Sequence, residues 1–286
     1  MRILITGGAG KLGLAVTRIL SENNEVRVLD LPGVDFSRFE GFPKVECVRG
    51  DITDYSQVRD AVGGVDGVVH LAALLPSRSE RDRENTMMVN VGGTENVLRA
   101  IREVSPHAHM AYASSVSVYG CTTDDHPPVR VDRPPVYSDF YSESKVRGEE
   151  ATIRSGITYS ILRISGIVFA GLFEFPEVLQ YRADQRVEFV CIEDVASAMA
   201  SAVEKAEARN GVFNIAGGKT WQMTGESYVN RVREAMGVDL EVNFSKECGW
   251  FDWYDTSESQ RILDYQKTPF DLYLSRLKKV FEELLG

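Results

Sequence analysis

The chain has 286 residues, 43% of them apolar, and a formal net charge of −10 at pH 7. It is long enough to bury a large core in one or two domains, and its acidic balance argues against a nucleic acid or an anionic membrane as a partner. Its longest apolar stretch falls short of the ~20 residues of a membrane span, and no export signal is evident at the N-terminus, which favours a soluble protein of the cytoplasm.

The chain begins with a predicted strand, a glycine-rich turn and a helix. Residues 2–6 are a short apolar run rich in β-branched side chains, and residues 12–21 carry apolar residues at helical spacing. Between them, Gly7, Gly10 and Gly13 keep side chains out of the turn, so that backbone N–H groups and the positive end of the helix dipole can approach a pyrophosphate. This pattern predicts a dinucleotide site.

The second predicted strand, residues 25–29, ends in an acid. Asp30 follows the glycines by about 20 residues, where a carboxylate can accept hydrogen bonds from adenosine ribose hydroxyls and repels a 2′-phosphate. The acid favours NAD over NADP, although Lys11 lies inside the loop and Arg27 lies nearby.

Strand and helix patterns alternate through the first ~165 residues, which predicts an α/β fold with a doubly wound, parallel Rossmann sheet. The further strands are expected at residues 45–48, 67–71, 108–114 and 158–164, and the helices at residues 55–62, 88–104 and 141–155. A proline-rich loop, residues 122–135, suits an active-site wall. Later helices are predicted at residues 193–205, 224–236 and 269–285, with an aromatic cluster at residues 250–254 that can pack a core or stack a ligand.

Tyr141 and Lys145 lie one helical turn apart, on the same face of a predicted helix. A tyrosine is a poor base at neutral pH unless a nearby cation favours its phenolate, and Lys145 is placed to supply that charge. Ser115, at the end of the preceding strand, can hold the substrate oxygen while its proton leaves. Together with the dinucleotide site, these residues predict hydride chemistry.

The four cysteines and the four histidines are too scattered for a zinc site, and the cysteines are expected to be reduced thiols. No metal is therefore predicted. His70 ends a strand that we expect to be buried, and we interpret it as structural. These residues are Cys47, Cys121, Cys191, Cys248, His70, His107, His109 and His126.

The motifs and their order resemble the short-chain dehydrogenase/reductase superfamily, and specifically its extended branch, the NAD-dependent epimerase/dehydratase family. The resemblance covers most of the chain. It rests on residues 6–13, Asp30, residues 50–52, 70–73, 90–94, 114–120, 141–145 and 192–196.

The resemblance implies catalytic roles for Ser115, Tyr141 and Lys145. It implies that Asp51 and Ile52 face the adenine and that the asparagine at position 90 touches the cofactor near the nicotinamide half. The full set of implied cofactor residues is Gly7, Gly10, Lys11, Leu12, Gly13, Asp30, Asp51, Ile52, Leu71, Ala72, Ala73, Asn90, Tyr141 and Lys145.

The resemblance also implies a division of the chain. Residues 1–166 would form the dinucleotide-binding domain, and residues 167–286 mainly a small C-terminal substrate-binding lobe, with residues 187–215 returning to the Rossmann body. By analogy with such families, a homodimer through the helices of residues 88–104 and 141–155 is expected.

The sequence favours one reaction type and leaves others open. Dehydratases and decarboxylases of the family place an acid beside the catalytic hydroxyl, where this chain has Val116 and Ser117. The motif is closer to the UDP-glucose 4-epimerase type, which predicts a nucleotide-sugar 4-epimerase working by transient hydride abstraction.

Two alternatives remain. Epimerases of this family clamp the substrate diphosphate with arginines, yet Arg182 and Arg186 are offset and no arginine directly precedes residues 255–257. A simple dehydrogenase of a small polyol, sugar or sugar acid is therefore the second hypothesis. A catalytically silent nucleotide sensor is a remote third, since a sensor has no use for the catalytic set.

Overall fold

The computed structural model describes residues 1–173, 176–238 and 241–285, and its centre is a parallel sheet. The strands of the described residues, in chain order, are β1 (Arg2–Thr6), β2 (Glu25–Asp30), β3 (Val45–Arg49), β4 (Gly67–His70), β5 (His109–Ser115), β6 (Thr158–Ile164), β7 (Ile167–Val168), β8 (Val178–Leu179), β9 (Arg186–Val187), β10 (Val190–Cys191), β11 (Gly211–Ile215), β12 (Met223–Thr224) and β13 (Asn243–Phe244).

Seven of these strands form the central sheet, in the order β11-β6-β5-β4-β1-β2-β3. Every neighbouring pair is parallel, as in the register that sets Ile3 beside Val26 on one side and beside Gly67 on the other. The strand order reverses between β1 and β4, so the connections at their carboxyl ends diverge and leave a crevice there. The predicted α/β class with a parallel Rossmann sheet is confirmed.

Helices cover both faces of the sheet. They are α1 (Lys11–Leu20), α2 (Tyr55–Val62), α3 (Arg83–Thr86), α4 (Gly93–Val104), α5 (Phe140–Arg154), α6 (Ile192–Glu204), α7 (Gly225–Met236), α8 (Ser257–Leu263) and α9 (Phe270–Leu285). The apolar sides of α1, α6 and α8 share one core with the sheet, and those of α2 and α4 share the core on the opposite face. No helix in the described part of the chain is long and apolar enough to cross a membrane.

The helix expected at residues 88–104 starts earlier than predicted and is interrupted. α3 begins after Asp82, whose carboxylate accepts a hydrogen bond from the N–H of Asn85 at 3.1 Å. A π-helical turn, Met87–Gly92, then joins α3 to α4. Such turns are found frequently at functional sites, and this one contains Asn90.

A third, aromatic core lies in the C-terminal part of the chain, where α7 and α9 pack with the short strands that follow β6. Of the predicted aromatic cluster, Phe251 and Tyr254 are buried, and the Phe251 ring lies 5.4 Å from that of Tyr181. The cluster therefore packs a core in this structure. The division of the chain at residue 166 and the homodimer stay predictions.

Candidate active site

The glycine loop is a tight turn between β1 and α1. Gly7 has a φ of +68°, and a Cβ at this position would lie 2.8 Å from the backbone of Ala72. A Cβ on Gly13 would lie 2.4 Å from the carbonyl oxygen of Gly8. No side chain caps α1, whose N-cap is Gly10, so its first N–H groups face the crevice end of the sheet. The loop thus offers backbone N–H donors, and at Gly7 and Gly13 it has no room for a side chain.

Asp30 lies beside this loop, at the end of β2. Its carboxylate accepts hydrogen bonds from the N–H of Ala9 at 2.9 Å and from the N–H of Leu31 at 2.8 Å. These bonds fix the acid against the glycine loop, in a position to accept hydrogen bonds from ribose hydroxyls.

The other predicted cofactor residues of the first half lie at the carboxyl ends of β3 and β4. Asp51 accepts a hydrogen bond from the N–H of Thr53 at 2.8 Å, and Ile52 is buried against Gly93, where a Cβ would lie 2.4 Å from its side chain. Residues 71–73 follow β4, and the N–H of Ala72 donates to the hydroxyl of Thr6 at 3.4 Å. The structure thus brings these residues to the same edge of the sheet as the glycine loop.

The side-chain oxygen and nitrogen of Asn90 both form hydrogen bonds within the protein. Its Oδ1 accepts from the N–H of Leu74 at 2.7 Å, while its Nδ2 donates to the carbonyl of Leu74 at 3.1 Å and to the hydroxyl of Ser144 at 2.9 Å. Asn90 therefore joins the segment after β4 to α5. A direct contact with the cofactor stays a prediction.

The structure brings Ser115, Tyr141 and Lys145 together. Ser115 is the last residue of β5, and its hydroxyl accepts a hydrogen bond from the N–H of Ser117 at 3.1 Å. Tyr141 and Lys145 lie in the first two turns of α5, with exposed fractions of 8% and 4%. The ammonium of Lys145 lies 5.6 Å from the centroid of the Tyr141 ring and donates to the carbonyl of Ala113 at 2.8 Å.

Burial dominates the electrostatics of this triad. It raises the pKa of Tyr141 to about 12, against the opposing effect of hydrogen bonding with Ser115. Burial also lowers the pKa of Lys145 to about 8, while the negative charge of Glu149 acts in the opposite direction. Tyr141 is therefore a neutral phenol at pH 7 in this state, and further positive charge is needed before it can act as a base.

His70, interpreted from the sequence as structural, is buried, and both of its ring nitrogens lie within hydrogen-bond distance of hydroxyl groups. Its Nδ1 is 2.6 Å from the hydroxyl of Thr6, and its Nε2 is 3.0 Å from the hydroxyl of Thr94. Burial, followed by the charge of Lys145, lowers its pKa to about 3. A neutral imidazole that links β1, β4 and α4 fits a structural role.

Sequence reasoning missed a buried acidic residue of α5 that lies close to Lys145. Glu149, one turn after Lys145, forms a buried ion pair with Arg163 at 2.7 Å and accepts from the hydroxyl of Ser114 at 2.5 Å. The same arginine donates to the hydroxyl of Tyr119 at 2.9 Å and to the carbonyl of Val131 at 3.0 Å. The helical spacing of Lys145 and Glu149 was a usable signal, but the partner on β6 could not be read from spacing.

A disulfide bond links the segment after β5 to the C-terminal part of the chain. Cys121 and Cys248 form a disulfide with a Cα–Cα distance of 5.9 Å, whereas all cysteines were expected to be reduced thiols. The prediction was wrong because the two cysteines are 127 residues apart in the chain, and the fold brings them together. Cys47 and Cys191 are free.

Arg186 lies beside this disulfide and is already engaged. Its guanidinium pairs with the buried carboxylate of Asp252 at 2.5 Å and donates to the carbonyls of Thr122, Thr123 and Asp125. Arg182, the other arginine considered for a substrate diphosphate, pairs with Asp184 at 2.9 Å. Both arginines therefore have carboxylate partners within this chain.

The chain is similar to proteins of several activities. It is 32% identical over 193 residues to a 3 beta-hydroxysteroid dehydrogenase/Delta 5-->4-isomerase of Mycobacterium tuberculosis, covering 60% of this chain and 50% of that protein. It is 34% identical over 130 residues to a D-erythronate dehydrogenase of Cupriavidus necator, covering 42% and 40%. The chain thus spans about half the length of the curated relatives it matches.

A solved UDP-glucose 4-epimerase of Thermotoga maritima shares the fold, with a TM-score of 0.82, 20% identity and full coverage of both chains. The sequence model of one family, described as the NAD dependent epimerase/dehydratase family, matches residues 3–173. With more than half of its length matched, the chain belongs to this NAD dependent epimerase/dehydratase family.

Proposed function

We propose that the chain is an NAD-dependent dehydrogenase that oxidises a secondary hydroxyl group of a small sugar acid or polyol. The observation that carries this proposal is the convergence of Ser115, Tyr141 and Lys145 at the carboxyl end of the sheet that also carries the glycine loop. A proton-transfer group beside a dinucleotide site is what alcohol oxidation requires.

The residues present fit the cofactor. A Cβ at Gly7 or Gly13 would collide with the chain's own backbone, so only glycine permits this tight turn between β1 and α1, the kind of turn that brings backbone N–H groups up to a pyrophosphate. Asp30 would accept the hydrogen bonds of the adenosine ribose and disfavour a 2′-phosphate, which makes NAD the proposed cofactor. When bound, NAD supplies the hydride acceptor and a positively charged ring.

The chain's own residues would then move the proton. Ser115 would hold the substrate hydroxyl, and Tyr141 would take its proton as the carbon–hydrogen bond gives up a hydride, so that one carbonyl forms. Burial opposes the phenolate of Tyr141, so the positive charges of Lys145 and of the oxidised cofactor are needed to favour it. The ammonium of Lys145 lies 5.6 Å from the centroid of the Tyr141 ring, close enough for its positive charge to favour the phenolate.

The engagement of Arg186 supports a dehydrogenase of a small substrate over the epimerase favoured by sequence. A diphosphate clamp needs a free arginine, and breaking the Arg186–Asp252 pair would leave a buried carboxylate without its partner. Among the relatives above 30% identity, one is named as a 3 beta-hydroxysteroid dehydrogenase/Delta 5-->4-isomerase and another as a D-erythronate dehydrogenase, whose named substrate is a sugar acid.

A nucleotide-sugar 4-epimerase is the second candidate. It is favoured by the serine motif of residues 114–120, which has Val116 and Ser117 where dehydratases carry an acid. An epimerase would return the hydride to the opposite face of the same carbon and leave the cofactor unchanged.

One experiment separates the candidates. The purified protein is incubated with NAD and either aldonic and uronic acids, free polyols or UDP-glucose, while the absorbance of reduced cofactor is followed and the sugars are analysed. We expect stoichiometric reduced cofactor from a sugar acid or polyol. Isomerised nucleotide sugar without net reduction would replace the dehydrogenase with the epimerase, and failure to bind NAD in a calorimeter would contradict both.

A further inference from the structure

Tyr141, Lys145 and Glu149 occupy three successive turns of α5 and share the face that packs against β5. Their exposed fractions are 8%, 4% and 3%. The ammonium of Lys145 donates to the carbonyl of Ala113 at 2.8 Å, and the carboxylate of Glu149 accepts from the hydroxyl of Ser114 at 2.5 Å. Along the helix, Lys145 therefore lies one turn from the phenol on one side and one turn from a buried carboxylate on the other.

Arg163, on β6, fixes the charge and the orientation of this carboxylate. Its Nη2 lies 2.7 Å from Oε2 of Glu149, and its Nε lies 3.0 Å from Oε1. A guanidinium keeps its proton in a folded protein, and bidentate pairing with it favours the charged form of a carboxylate. The remaining Nη1 donates to the hydroxyl of Tyr119 and to the carbonyl of Val131, so the guanidinium is itself held in place.

The titratable groups that surround Lys145 differ in charge at neutral pH. They are Tyr141 and Glu149 on α5, Tyr112 on β5 and His70 on β4. The ring centroid of Tyr112 lies 5.3 Å from the ammonium, and burial raises the pKa of this phenol. Both phenols are therefore neutral at pH 7, and so is His70, whose pKa burial lowers to about 3. Of these four groups, Glu149 carries the charge, and its sign favours a proton on the amine.

We propose that Glu149, paired with Arg163, is a positioning residue that keeps Lys145 protonated beside Tyr141 at neutral pH. This inference rests on the proposed function, and it applies equally to an epimerase, since both reactions need the phenolate of Tyr141. Burial already lowers the pKa of Lys145 to about 8, and the charge of Glu149 opposes that effect. Without the carboxylate, the amine would lose its proton at a lower pH and would no longer favour the phenolate.

The first measurement needs no substrate. The lysines are labelled with carbon-13, and the Cε signal that is missing from Lys145→Met is titrated in each variant. In Glu149→Gln we expect its midpoint to lie about one pH unit below that of the wild type. Arg163→Lys removes the bidentate pairing but keeps a cation for Glu149, so it should lower stability and leave the midpoint close to the wild-type value. Glu150→Gln, from an exposed pair with Arg154, is the matched control and should not move the midpoint.

The second measurement is the pH dependence of kcat with the substrate found for the wild type. In Glu149→Gln we expect the acidic limb of the profile to move up by about one pH unit, because Tyr141 then ionises without a charged amine beside it. Turnover at a pH below this limb should fall roughly tenfold, whereas the affinity for NAD, measured by calorimetry, should stay close to that of the wild type. Glu149→Asp keeps the charge and should restore most of the turnover.

If Glu149→Gln does not fold, the double variant Glu149→Leu with Arg163→Met takes its place. It replaces the buried pair by apolar side chains, which proteins often tolerate, and it should lower the Lys145 midpoint in the same direction.

The outcomes separate this inference from the proposed function. An unchanged Lys145 midpoint in the folded variant would overturn the inference and leave the proposed function standing. An equal fall of the midpoint in Arg163→Lys would reduce the effect to disturbed packing and overturn it too. A lowered midpoint with an unchanged pH profile of kcat would remove Glu149 from the reaction. A wild type that neither binds NAD nor turns over a substrate would contradict the proposed function, and the lysine titration would still decide whether the Arg163–Glu149 pair holds the proton on Lys145.

Discussion

At the scale of single residues, the proposed reaction depends on one phenol, that of Tyr141, whose buried environment opposes its ionisation. Tyr141 is buried, and burial is the largest influence on its pKa. Its helix is held by two caps, since Asp139 accepts from the N–H of Ser142 at 2.6 Å and Glu80 accepts from the N–H of Tyr141 at 3.0 Å. The hydroxyl is therefore positioned in advance, and in the proposed reaction only its charge state would change.

Tyr141→Phe is expected to abolish turnover while leaving NAD binding nearly unchanged. The substitution removes only the hydroxyl, and loss of a general acid–base group costs about 10²–10⁴ in rate. Turnover is measured with the substrate found for the wild type, and binding by calorimetry. A variant that keeps more than a tenth of wild-type turnover would refute Tyr141 as the base.

At the scale of secondary structure elements, much could be predicted because strand and helix patterns are local. The predicted strand at residues 158–164 and the predicted helix at residues 55–62 have the bounds found in the structure. The π-helical turn at Met87–Gly92 could not be predicted, because the apolar residues around it keep a helical spacing. The ion pair between α5 and β6 was also missed, since it joins residues of two elements whose alignment depends on the assembled sheet.

Glu149→Gln should destabilise the protein by about 3–5 kcal/mol, because it leaves the guanidinium of Arg163 buried without a counter-charge. The side chains of this pair are only 7% and 4% exposed. Glu150→Gln is the matched control from the next position of α5. It pairs with Arg154, and the side chains of Arg154 and Glu150 are 73% and 53% exposed. We expect Glu150→Gln to lower the free energy of unfolding by at most about 1 kcal/mol. Urea unfolding measures both, and equal losses would contradict the role of the buried pair.

At the scale of the whole molecule, the hydrogen bonds that join the sheet to the C-terminal part of the chain could not be predicted from the sequence. The carboxylate of Glu188 accepts from the N–H of Gly218 at 2.8 Å, from Nε2 of Gln222 at 3.0 Å and from the N–H of Tyr254 at 3.0 Å. These partners lie at separations of 30 to 66 residues. Patterns of helix and strand carry no information about such contacts, so neither this cluster nor the disulfide could be predicted.

Glu188 should make stability depend on pH. Burial raises the pKa of this carboxyl from 4.5 to about 7, so the folded state binds more protons than the unfolded state between these values. The contribution of Glu188 to the free energy of unfolding is therefore fully present below pH 4.5. It falls by about 3 kcal/mol as the pH rises toward 7. Glu188→Gln removes the titration. Its unfolding free energy minus that of the wild type should rise across this window, and a constant difference would contradict the prediction.

The disulfide between Cys121 and Cys248 should stabilise the folded state. A crosslink between residues 127 positions apart restricts the unfolded chain strongly, and we expect Cys121→Ser to cost about 2–5 kcal/mol under oxidising conditions. Reductant should lower the wild type to the stability of this variant and leave the variant unchanged. Cys47→Ser removes an exposed free thiol and is the matched control, expected to unfold like the wild type at the same urea concentration. Wild-type stability that is insensitive to reductant would show that the crosslink does not constrain the chain in solution, because the loop closed by Cys121 and Cys248 is opened only by reduction.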